Sequence, residues 1–144
     1  ANKVKGSGST LTKVDPQELI DHYNAKAIKI KHKAIIIIRN PWNPDLSERL
    51  HYERTRSAWR LGDKKDFAEY AFLVNQGVVK KVYTIAGWHP DGTTFHTRND
   101  PDPINPYYLK DYAIRDRHEF VGKLLPHDHE ISRMYVGKSV KEYI

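Results

Sequence analysis

The segment Tyr70–Trp88, YAFLVNQGVVKKVYTIAGW, constrains the fold more than any other. An apolar run, Tyr70–Val74, meets a short turn at Asn75-Gln76-Gly77. A longer run rich in Val, Tyr, Thr and Ile follows. β-Branched and aromatic residues on both sides of a glycine turn spell a hairpin. A sheet is therefore required, and the rest of the chain must cover it. The segment just before, LSERLHYERTRSAWRLG, reads as a helix from Leu46 to about Leu61, capped by Asp45 and stopped by Gly62.

The flanks fill in around that hairpin. Asp15-Pro16 has the form of a helix start, with Leu19, Ile20 and Tyr23 on its apolar face. Ile28–Ile38 reads as a strand. Its first half alternates, placing Lys29, Lys31 and Lys33 on one face and Ile28, Ile30 and His32 on the other. Its second half, AIIII, is apolar throughout and suits a central, buried strand. Asn40–Pro44 is a rigid turn, and Asn99–Pro106, with three prolines, is irregular. Arg117–Lys123 reads as a strand and His127–Tyr135 as a short helix. The expectation is one α+β domain over residues 13–144, preceded by a flexible basic arm over 1–12. Its sheet is curved and mostly antiparallel, or a partly closed barrel, with flanking helices. Ile35, Ile37, Leu50, Phe72, Val74, Val79, Ile85 and Phe120 form its expected core.

Charge narrows the partner. The net charge is +6, and residues 1–44 carry eight Lys and Arg against three acids. The remaining 100 residues hold 16 against 15, so the excess sits near the N-terminus. That asymmetry fits an anionic partner, or a solubilising surface. The chain of 144 residues has no cysteine, which excludes a disulfide framework, a zinc ribbon and a thiol nucleophile. It has no signal-like apolar run and no stretch of transmembrane length, so a cytoplasmic location and no membrane partner are expected.

Several constellations compete for chemistry. Arg49, Arg54, Arg56 and Arg60 lie on the expected helix, with Arg49, Arg56 and Arg60 near one face. Arginine forks suit phosphate oxygens, while Glu53 offers the same residues an ion-paired, solvated role. The lysine row at 29, 31 and 33 tracks a phosphate backbone, or protects an edge strand. Trp42, Trp59 and Trp88 fall near element ends, where aromatics stack on bases or close a core. His127-Asp128-His129-Glu130 reads as a solvated helix cap rather than a metal site. His89 and His96 flank the Asp91-Gly92 turn. With Arg98, and with Lys81 and Tyr83 nearby, they would supply a base, an acid and a cation for metal-independent RNA cleavage. Gly137-Lys138-Ser139 lacks the earlier P-loop glycine, since Arg133 stands there, and no Gly-x-Ser-x-Gly exists. No cofactor and no metal are expected.

Five motifs carry a resemblance. They are Thr55-Arg56-Ser57-Ala58-Trp59, Tyr70–Val74, Gly77-Val78-Val79 with Val82–Ile85 and Trp88, Arg117–Gly122, and Tyr135–Val140. Together, over roughly residues 35–140, they resemble bacterial and phage proteins with small PUA-, ASCH- and EVE-like barrels. That resemblance implies binding of RNA or of modified DNA bases. It also places Arg117 and Tyr135 beside Tyr83 and Trp88, as a pocket for a splayed-out base. The resulting expectation is a nucleic-acid-binding module of PUA-like type, for RNA or for modified or single-stranded DNA. Lys29, Lys31, Lys33, Arg54, Arg56 and Arg60 would contact phosphates. The alternatives are a metal-independent endoribonuclease using His89, His96 and Arg98, and a protein-binding phage or host-defence accessory factor.

Overall fold

A computed structural model describes residues 2–5, 24–39, 42–57, 59–95 and 117–144, with the isolated helical positions Pro16 and Ile20. In chain order the elements are β1 (Asn2–Lys5), β2 (Ala34–Ile38), α1 (Glu48–Arg56), a 3-10 turn (Asp63–Phe67), β3 (Tyr70–Asn75), β4 (Val78–Thr84), β5 (Gly87–Pro90), β6 (His118–Val121), α2 (Glu130–Tyr135) and a second 3-10 turn (Lys141–Tyr143). The protein is α+β. One sheet has the order β1-β2-β3-β4, and β5 pairs with β6 in a second. Among the described residues neither sheet closes into a barrel, and no helix is long and apolar enough to cross a membrane.

The main sheet is mixed, which corrects the expectation of a mostly antiparallel one. β1 pairs parallel with β2, and β2 parallel with β3; only β3 and β4 run antiparallel. A long crossover carrying α1 joins β2 to β3, as a parallel pair requires. The AIIII run matches this position, since a strand covered on both faces has no polar alternation. Residues 2–5 of the expected arm form an edge strand, with Lys3 opposite Ile36. Residues 6–12 of that arm lie outside the described residues.

The hairpin turns through Gln76 (φ 51°) and Gly77 (φ 78°). Two consecutive positive φ values define the turn whose twist matches a hairpin, and glycine adopts them without strain. The ladder slips between Leu73, opposite Lys81, and Val74, opposite Val79, so Lys80 is an extra residue in β4.

The sheet separates two cores. Ile36, Ile38, Phe72, Val74, Val79 and Val82 pack on one face beneath Ile131 and Tyr135 of α2 and Val140. Ile35, Ile37, Ala71, Leu73 and Tyr83 pack on the other with Trp59 and Phe120, and Tyr52 of α1 covers them. Six of the eight expected core residues are buried; Leu50 and Ile85 are half-buried.

Helix α1 is shorter than its pattern. Ser47, not Asp45, is the N-cap, its hydroxyl accepting from Leu50 N–H at 3.2 Å. The helix ends at Arg56 because Trp59 leaves to pair with His118 through two backbone bonds of 3.0 and 2.8 Å. Side chains satisfy the final-turn carbonyls. Ser57 Oγ donates to Glu53 O, Trp59 Nε1 to Thr55 O, and Arg39 Nη2 to Arg54 O.

Candidate nucleic-acid interface

Residues 26–33 make no regular ladder, yet the expected alternation holds. Lys29, Lys31 and Lys33 are exposed, and Ile28, Ile30 and His32 are half-buried. The segment lies extended along residues 135–143. Ile28 N–H donates to Ser139 O (3.0 Å), Ile30 N–H to the Tyr143 hydroxyl (2.8 Å) and Lys31 N–H to the Tyr135 hydroxyl (2.9 Å). Phenol oxygens thus replace a neighbouring strand. Alternate side chains on such a backbone recur about every 6.6 Å. Glu142 ion-pairs with Lys29 at 2.9 Å; its hydrogen bond and charge hold the ammonium's pKa above the ordinary lysine value.

The expected arginine contacts do not join this row. Arg56 is a correction, for its side chain is only 1% exposed. Its Nε donates to Phe120 O (2.9 Å), Nη1 meets Glu53 (3.2 Å) and Nη2 meets Glu119 (3.1 Å). Nη2 also donates to the Thr94 hydroxyl, which in turn donates to Glu119. A guanidinium enclosed in this way reaches no phosphate. Helical spacing put residue 56 on a shared face, but that end of α1 abuts β6 and turns the face inward. Arg54 and Arg60 are exposed. Arg54 sits near Arg39, whereas the lysine row ends at Lys33. The six steps of β2 between Lys33 and Arg39 span about 20 Å, and α1 covers the opposite face of the sheet from residues 28–30.

Glu119 is fully buried, which by itself pushes its carboxyl pKa up. Donation from Thr94 and from Gly92 N–H, with the Arg56 charge, outweighs burial and holds it below the ordinary carboxylate value. A depressed folded-state value contributes stability above the unfolded-state pKa, and that contribution disappears as pH falls through the folded one. We therefore expect unfolding free energy to decline from about pH 5 downward, and less steeply in Glu119→Gln. Urea titrations at several pH values measure this; equal slopes would sink the assignment.

The four expected pocket residues are not brought together, a second correction. Tyr83 is fully buried, with ring centroids 5.8 Å from Tyr52 and 6.2 Å from Phe120, and burial pushes its phenol pKa well upward. Trp88 packs edge-on against Phe120 at 5.4 Å, in the same core. Arg117, half-buried, precedes β6. Tyr135 belongs to the other core, 4.7 Å from Phe72, with the sheet between it and Trp88. A cavity of about 340 Å³ lies between Asn24, Ala25, Val78–Lys80 and Val136-Gly137, and none of the four lines it.

Of the cleavage constellation, His89 is exposed on β5, opposite Glu119. His96 and Arg98 lie outside the described residues. His129 caps α2 through Nδ1, which accepts from Ile131 N–H at 3.1 Å, and His127 and Asp128 are exposed.

Sequence reasoning missed three placements. His32 meets the Tyr135 hydroxyl at 2.6 Å. Arg39 lies 4.8 Å over Trp59 and caps α1; burial, then the Arg54 charge, pushes its pKa down to about 10. Trp42 stacks on His51 at 4.7 Å, with Lys80 and Lys81 ammoniums 5.8 and 6.0 Å from its ring. Lys80 and Lys81 both reach one indole because the bulge suspends strand alternation, and nothing in the residue pattern announces a bulge.

No family model matches the chain, and neither curated proteins nor solved structures give a significant match.

Proposed function

We propose that this protein is a nucleic-acid-binding module, for RNA or for modified or single-stranded DNA, with a partly closed PUA-like barrel as its architecture. One observation carries the reading: three lysines project from a segment whose backbone is tied down at 28, 30 and 31. A row of exposed lysines on a fixed backbone suits a phosphate backbone, and it positions the nucleic acid without reading sequence. Continuity along the outer edge of β4 supports the barrel. Thr84 N–H donates to Lys123 O (2.8 Å) and Leu125 N–H to Val82 O (2.9 Å), so the chain leaving β6 runs beside that edge.

Fluorescence anisotropy with labelled RNA and single-stranded DNA tests the reading. Affinity should fall steeply with salt. The variant Lys29→Ala/Lys31→Ala/Lys33→Ala should bind all sequences more weakly and lose about 2–3 units of log–log salt slope. Glu142→Gln, which frees Lys29, should tighten binding. Undetectable binding at low salt would end the proposal and favour a protein partner. Cleavage of labelled RNA that survives chelator would favour the ribonuclease.

A further inference from the structure

His32 stands between Lys31 and Lys33 but faces inward, half-buried. Its Nδ1 lies 2.6 Å from the Tyr135 hydroxyl, and that same oxygen accepts the Lys31 amide at 2.9 Å. With the amide on one oxygen lone pair, the phenol pairs with Nδ1 in either neutral tautomer: its hydrogen donates to Nδ1, or its second lone pair accepts from Nδ1–H. Backbone, phenol and imidazole form one hydrogen-bonded chain behind the row. The ring is packed edge-on by Tyr70 at 5.7 Å and Tyr135 at 5.5 Å. The titratable groups facing it are these two phenols, from β3 and α2. Lys31 and Lys33 flank it on its own segment. Among the described residues no carboxylate is bonded to it.

We infer that polyanion binding at the lysine row is proton-linked through His32, an inference that rests on the nucleic-acid reading above. The other inward side chains of the row, Ile28 and Ile30, have no charge to change, whereas imidazole is the side chain suited to doing so between about pH 5 and 8. In the doubly protonated ring the direction is fixed: Nδ1–H donates to the Tyr135 oxygen, and the phenol hydrogen turns away. The ring then carries a positive charge behind Lys31 and Lys33, on the inward face of the segment. Without a ligand that charge adds to their mutual repulsion. A phosphate chain along the row neutralises the outward lysines and places negative charge within reach of the imidazolium behind them. Proton uptake and polyanion binding therefore favour each other, and the coupling is reciprocal. His32 is a positioning residue in this scheme, acting through Tyr135 and the row.

The probe is a fluorescein-labelled oligothymidylate of roughly 12 nucleotides, titrated by anisotropy at constant low ionic strength from about pH 8 to about pH 5.5. The unsubstituted protein should tighten about fivefold across that range. His32→Gln keeps a neutral partner for the Tyr135 hydroxyl and should lose most of that gain. An identical pH response in both proteins overturns the inference while leaving the nucleic-acid reading standing. Absence of binding at every pH overturns both. A purely structural role would shift affinity equally at all pH values, which also counts against the linkage. Imidazole NMR of the unsubstituted protein gives a second readout that needs no variant. The His32 ring should take up its proton at higher pH with the oligonucleotide bound, and unchanged titration overturns the inference.

Discussion

Arg56→Ala is expected to lower the unfolding free energy by about 3–5 kcal/mol, seen as an earlier midpoint in urea with little change in slope. The substitution removes the cation that contacts Glu53 and Glu119, whose side chains are 2% and 0% exposed. Two carboxylates are then left buried without it, and Phe120 O loses its donor. Uncompensated buried charge is costlier than the pair was beneficial. Neutralising one acid should therefore recover part of the loss, so Arg56→Met/Glu119→Gln should be more stable than Arg56→Met alone. If Arg56→Ala instead keeps its stability and loses oligonucleotide affinity, the buried network is wrong and the solvated arginine face of the sequence reading returns.

Gly122→Ala should cost about 3 kcal/mol, lowering Tm by roughly 10 °C. A Cβ built there falls 1.7 Å from Thr84 O and 2.7 Å from its carbonyl carbon. Both are backbone, so no rotamer change relieves the overlap. The same crossing carries Thr84 N–H to Lys123 O (2.8 Å), Lys123 N–H to Thr84 Oγ1 (3.0 Å) and Gly122 N–H to the Tyr52 hydroxyl (3.1 Å). Gly62→Ala is the control, since nothing lies within 4 Å of its added Cβ. Similar thermal shifts for the two variants would refute the close approach. The glycine ending the Arg117–Gly122 motif thus has a steric reason: β4 and the chain leaving β6 pass too close for any side chain.

Local pattern was legible where one interaction decides the outcome. The hairpin, the buried AIIII strand and the outward lysines all follow from alternation and turn chemistry, and each is present. Legibility failed where partners distant in the chain decide. Helical spacing grouped Arg56 with Arg49 and Arg60, but the arrival of β6 at the end of α1 turned Arg56 into a buried ion. Nothing local sets the direction of β2 against β3, so the parallel pairing leaves no signature in the residue pattern. Tyr135 looked like a pocket wall and instead lies across the sheet from Trp88. The hydroxyl partners of residues 30 and 31 are tyrosines more than 100 positions away, which no spacing rule reaches.

That separation has a consequence in time. Ile30 and Tyr143 are 113 positions apart, and Lys31 and Tyr135 are 104 apart. A ribosome adds about 5–20 residues per second, so on the order of ten seconds pass between synthesis of the lysines and synthesis of the tyrosines that hold them. Throughout that interval residues 28–31 lack these anchors, and the row is tied only at Lys33, whose carbonyl accepts from Glu69 and Tyr70 N–H. Contacts of such long range are also the slowest to close once all their parts exist. The row is therefore a late product of folding, and a nascent chain cannot present it before Tyr143 has cleared the ribosome.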